Sequence, residues 1–89
     1  MNNQLENLRK SVDAIDDLIV ELLAKRFSLI KKIGQYKKQE GLPFFDKKRW
    51  QQVLETKTKQ GQALNLPKGL VKKIYEIIHQ FALEIEKSL

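Results

Sequence analysis

Apolar residues recur at steps of three and four along the first third of the chain. Leu5, Leu8, Val12, Ile15, Ile19 and Leu22 lead to Leu29 and Ile33, and Arg26 occupies one turn of the same stripe. That spacing predicts one apolar seam on a single long helix. The run from about 5 to 39 contains no proline and one glycine, Gly34, so nothing inside it stops a helix. At a rise of about 1.5 Å per residue this helix would be about 50 Å long. No other segment is long enough to cover it, so the same helix of a second copy is the expected cover.

Glu40-Gly41-Leu42-Pro43 ends the first helix, with Gly41 suited to a C-cap and Pro43 blocking continuation. Phe44 and Phe45 follow, and Asp46 is a good N-cap for a second helix running to about Gln62, with Trp50, Val53 and Leu54 on its apolar face. Asn65-Leu66-Pro67 reads as the start of a third helix, Asn65 capping and Pro67 in the first turn. Leu70, Ile74, Ile77, Ile78, Phe81 and Ile85 then form its expected core stripe. The fold expected is all-α: a three-helix protomer with one very long first helix, intertwined with a second copy as a helical homodimer. A single domain spans residues 1–89, with helices at about 5–39, 46–62 and 67–88.

Eighty-nine residues form one domain at most and bury a modest core alone. The chain has no cysteine and one histidine, which removes disulfides, thiolate chemistry and multi-histidine metal sites from consideration. No apolar run reaches membrane-spanning length and the opening MNNQLENLRK lacks a hydrophobic signal core, so a cytoplasmic protein is expected. The net charge is +6, but residues 25–59 carry eleven Lys/Arg against three Asp/Glu, a net of +8, while the rest carries a net of −2. That basic middle is a solvated surface, a field that steers a small polyanion, or an attraction for nucleic acid.

An arginine on an apolar stripe loses water unless an anion meets it. Lys37 lies three turns beyond Arg26 on nearly the same face, about 16 Å along the axis. The two could grip opposite ends of one small anion, with Ile30 and Ile33 as floor and Gly34 admitting the ligand close to the backbone. The plainer alternative pairs Arg26 with a carboxylate of the third helix and leaves Lys37 in solvent. Arg9 is about 25 Å from Arg26 along the helix. It would have to reach the same ligand from another chain; otherwise it pairs with Glu6 and Asp13. Lys47, Lys48 and Arg49 oppose the dipole of the second helix, a conflict that an anion near Arg49 would relieve; the plainer alternative, preferred for Lys47 and Lys48, is a solvated basic cluster. Tyr75, His79, Ala82 and Glu86 form a stripe beside the core face of the third helix. His79 is the one group that titrates near neutrality and reads as a packed or surface residue; Glu86 reads from its position as exposed. No nucleophile–base set and no Gly-rich phosphate loop is present, so positioning and charge are what the chain offers.

The chain resembles the all-helical, AroQ-class chorismate mutases over residues 5–88. The resemblance rests on LENLRKSVDAIDDLIVELLAKRFSLIKKIGQYKK, on GLPFFDKKR after it, and on the Leu-Pro start and Ile-Ile centre of the third helix. It implies the rearrangement of chorismate to prephenate in aromatic amino-acid biosynthesis, with no cofactor, no metal and no covalent intermediate, in homodimers with shared sites. It further implies that Arg9 enters from the partner subunit to bind one carboxylate and that Arg26 grips another from within the protomer. By the same resemblance Lys37 binds near the ether oxygen, and Asp46 and Arg49 meet the hydroxyl end. Three positions depart from the common bacterial pattern: Trp50 replaces a glutamate that receives the ring hydroxyl, Ala82 a serine, and Glu86 a glutamine that donates to the ether oxygen. Fungal members resemble this chain at the last position. A glutamate donates only when protonated, so Glu86 is expected to act in its acid form and turnover to favour mildly acidic pH.

Trp50 keeps two relatives of the reaction open: isochorismate-pyruvate lyase and aminodeoxychorismate mutase. A regulatory mutase that docks on another enzyme of aromatic biosynthesis is a further reading. A basic helical nucleic-acid binder is disfavoured, because the singled-out cations fall on an apolar seam and helix 2 has few exposed aromatics; no nucleic-acid or membrane partner is expected.

Overall fold

A computed structural model describes residues 3–89; Met1 and Asn2, which open the expected domain, lie outside the described residues. Three helices make up the regular structure: α1 (Asn3–Glu40), α2 (Lys47–Ala63) and α3 (Leu70–Lys87). Among the described residues there is no strand. α3 packs on both α1 and α2, which approach α3 rather than each other.

Backbone capping sets the turns. At the end of α1, Leu42 N donates to Lys37 O (2.8 Å) and Gly41 N to Lys38 O (3.3 Å), with Gly41 at φ 68°. This is the paired cap of a Schellman motif, and glycine takes the left-handed position as expected. Asp46 caps α2, its Oδ1 accepting from Arg49 N at 3.0 Å. The end of α2 repeats the Schellman pattern: Leu66 N donates to Gly61 O (3.0 Å) and Asn65 N to Gln62 O (3.1 Å), with Asn65 at φ 58°.

Asn65 therefore closes α2 instead of opening α3, which corrects the expected N-cap. Asparagine tolerates the left-handed conformation that a C-cap requires. With Asn65 spent there, Pro67 lies in a turn closed by Leu70 N to Pro67 O (3.1 Å). α3 then starts at Leu70 after Gly69 (φ 81°), three residues later than expected and without a side-chain cap.

Glycine decides how closely α3 lies on α1. A Cβ on Gly34 would meet Leu89 Cδ1 at 2.7 Å and Glu86 Cγ at 3.0 Å. The close approach that Gly34 permits is thus that of α3, where the sequence pattern points to a ligand. The strip of α1 nearest α3 carries Leu23, Phe27, Ile30 and Gly34. It runs beside the predicted seam, which stays open: Leu22 is 60% exposed and Ile33 45%. Arg26 and Lys37 sit between the two strips, both half-buried.

The predicted core stripe of α3 is likewise only partly covered. Ile78 and Ala82 are the buried apolar side chains among the described residues, whereas Leu70, Ile74, Ile77 and Phe81 are exposed. The reason is geometric: α3 can cover about half the length of α1, and each helix has more apolar surface than one protomer can bury. The radius of gyration is 16.8 Å, against about 12 Å for a compact chain of this length. The accessible surface is 7601 Å², against about 5400 Å² for a compact monomer of this mass.

Candidate active site

The three helices enclose a cavity of about 310 Å³ near the C-terminal half of α1. α1 contributes Arg26, Ile30, Ile33 and Lys37 to its wall. The α1–α2 connection and the first turns of α2 contribute Phe44, Asp46, Arg49, Trp50 and Val53. α3 closes it with His79, Ala82, Leu83 and Glu86. Steps of three and four on each helix bring these residues to one side. The N-cap geometry at Asp46 places the first turn of α2, and with it Arg49 and Trp50, at the mouth.

The polar groups are unevenly satisfied. Lys37 Nζ donates to Phe44 O at 2.8 Å and lies 3.5 Å from Glu86 Oε2. Glu86 is 4% exposed, and the 3.5 Å contact is an ion pair without hydrogen-bond geometry, so its Oε2 is left without a hydrogen bond. Arg26 lies 5.9 Å from the centre of the Tyr75 ring, a cation–π distance, and its Nη1 is buried with no hydrogen-bond partner. Arg49 Nη1 donates to Gln52 Oε1 at 3.0 Å on the exposed side. Trp50 stacks on His79 with centroids 4.1 Å apart and planes 12° apart. Partial burial holds the His79 imidazole below its ordinary value; the Glu86 carboxylate opposes this, and the charges of Arg26 and Lys37 reinforce it.

Of the residues singled out from the sequence, Arg26, Lys37, Asp46, Arg49, Trp50, Ala82 and Glu86 all reach this cavity. Arg9 does not: it is exposed on the N-terminal half of α1, and it forms no ion pair with Glu6 or Asp13. The plainer alternative for the cations fails in both halves, since Lys37 meets the α3 carboxylate and Arg26 meets none. The plainer alternative for Glu86, an exposed carboxylate, fails too, since its side chain is buried. Two wall groups were missed. The Phe44 carbonyl leaves no side-chain signal. His79 had one, being a lone imidazole on the stripe that carries Ala82 and Glu86.

Such a cavity can bind and orient an anion: three cationic side chains, Arg26, Lys37 and Arg49, outnumber the two carboxyl groups, Asp46 and Glu86, around an apolar floor. The sequence profile of the chorismate mutase type II family matches residues 8–87. The chorismate mutase of Methanocaldococcus jannaschii is 33% identical over 88 residues, covering 99% of this chain and 89% of that protein. The T-protein of Enterobacter agglomerans is 32% identical over 71 residues, 80% of this chain; the matched stretch is 19% of that much longer protein. The solved structure of chorismate mutase (form II) from Thermus thermophilus superposes with a TM-score of 0.86 at 29% identity, covering 96% of each chain. Fold, cavity and sequence agree, and the chain belongs to the chorismate mutase type II family.

Proposed function

We propose that this cavity binds chorismate and rearranges it to prephenate, and that a second copy of the chain completes each site. As a chorismate mutase the chain is an isomerase. In the reaction the ether C–O bond breaks as a C–C bond forms, and negative charge grows on the ether oxygen. The protein's task is to hold the dicarboxylate in a chair-like conformer and to meet that charge.

Arg26 takes one carboxylate in this reading, and Arg9 of the second copy takes the other. Lys37 reaches the ether oxygen and a carboxylate, while Asp46 and Arg49 flank the hydroxyl end beside Trp50 and Ala82. Glu86, protonated, donates to the ether oxygen. No cofactor is required. The observation that carries the reading is Arg26 Nη1, buried in the cavity wall with no acceptor. A buried guanidinium N–H without an acceptor is costly, and a bound carboxylate supplies what it lacks.

The homodimer is supported by the open seam of α1 and by an accessible surface about 2200 Å² above that of a compact monomer. Residues 1–89 act in this reading as one domain working in the cytoplasm. No helix among the described residues is long and apolar enough to cross a membrane.

The test is incubation of the purified protein with chorismate, followed by product identification by NMR. Prephenate is expected. Failure to convert chorismate, with salicylate and pyruvate formed from isochorismate instead, would transfer the site to the lyase reading.

A further inference from the structure

His79 stands on the α3 wall of the cavity, facing Trp50 of α2. Its imidazole lies flat on the indole, and the Phe45 ring tilts against it with centroids 5.6 Å apart. Aromatic contacts of this kind fix the plane of a ring but leave its edge free. Neither ring nitrogen has a hydrogen-bond partner among the described residues. A pinned imidazole with a free edge, at the wall of a cationic cavity, is placed to bond a guest.

We propose that His79 is a further substrate-binding residue of this site: its imidazole, laid on Trp50, hydrogen-bonds the bound dianion and takes up a proton as the dianion enters. This rests on the reading that the cavity receives a dianion.

The surrounding charges give the direction. Arg26 and Lys37 face His79 from α1, Asp46 and Arg49 line the same cavity from the start of α2, and Tyr75 and Glu86 flank it on α3. Burial and the two α1 cations favour the neutral ring, and the Glu86 carboxylate pulls the other way. Two negative charges on a guest compensate the cations and reverse the local field, so the charged ring becomes favourable. An imidazolium also gains a cation–π attraction on the indole face that the neutral ring lacks. A neutral imidazole has one donor and one acceptor, and its protonated form has two donors. Binding should therefore strengthen as the pH falls through the range where the free ring is neutral and the occupied one is charged.

The experiment is calorimetric titration with a bicyclic ether dicarboxylate that mimics the chair-like transition state. It is run near pH 6.5 in two buffers of unlike ionisation enthalpy. The wild type should take up protons on binding. His79→Phe, which keeps the stack, and His79→Gln, which keeps a donor, should each take up fewer protons than the wild type, Glu86 supplying the remainder. The advantage of the wild type over His79→Phe should be about tenfold in Kd near pH 6 and below about threefold near pH 8. Glu86→Gln, titrated alongside, separates the contribution of the carboxyl group. Circular dichroism checks the fold, and His79→Gln carries the test if His79→Phe misfolds. Unchanged proton uptake in the folded variants, with wild-type binding and prephenate formation intact, overturns the role of His79 alone. A wild type that neither binds the dicarboxylate nor makes prephenate overturns the dianion reading, and the role of His79 with it.

Discussion

Lys37 Nζ lies 3.5 Å from Glu86 Oε2, across the interface of α1 and α3 and inside the candidate site. The pair sits where Gly34 lets the two helices approach, one turn before Lys37 and directly beneath Glu86. Packing and chemistry meet at this point: the contact that closes the protomer also sets the proposed donors.

As a carboxylate, Glu86 pairs with Lys37 and repels a growing oxyanion; as an acid, it donates to that oxyanion and frees Lys37. Turnover should therefore fall as pH rises from mildly acidic to alkaline. Glu86→Gln, a permanent donor, should flatten that limb of the kcat profile. An acid-favouring profile that survives the substitution would show that another group is responsible.

Arg26 should dominate binding and rate. A charge-assisted pair in a dry site is worth roughly 3–5 kcal/mol, so Arg26→Ala should lower kcat/KM by about a hundredfold to several thousandfold. Steady-state kinetics on the folded variant measure this directly, and a loss below about tenfold would take Arg26 out of the site.

Gly34→Ala should destabilise the protein although alanine is the better helix former. The new methyl group meets Leu89 Cδ1 at 2.7 Å, a side-chain end that can move, and Glu86 Cγ at 3.0 Å, where the buried Glu86 side chain must give way by a few tenths of an ångström. Overpacking of this kind costs about 1–3 kcal/mol, against the gain of about 1 kcal/mol expected from helix propensity. Urea unfolding should show a lower midpoint, accompanied by reduced kcat as Glu86 is displaced from Lys37. A more stable variant with full activity would mean that α3 does not lean on Gly34.

Much of this arrangement is legible in the sequence because spacing and capping are local. The three-and-four rhythm of α1 yields the long helix, Gly41 and Asp46 mark their caps, and Arg26 stands out as a cation on an apolar stripe. Faces are harder than elements. Leu22 and Ile33 belong to a clean stripe, yet α3 covers the strip beside it, because the choice depends on where a glycine allows a helix to come close. Asn65 could cap either neighbouring helix by residue type, and only the backbone direction at φ 58° settles which. Relations between distant residues, such as the stack of Trp50 on His79, depend on the turn between α2 and α3, which no periodicity encodes.

Arg9 tests the centre of this account, which is that each cavity needs an arginine from a second chain. It lies about 25 Å along α1 from Arg26 and cannot serve the cavity of its own protomer. Arg9→Ala and Arg26→Ala proteins, each inactive alone, should regain activity when mixed and allowed to exchange subunits. One of the two sites in every mixed dimer would then carry both arginines, giving about a quarter of wild-type activity at full exchange. Mixed dimers verified by mass spectrometry that show no activity would contradict the shared site.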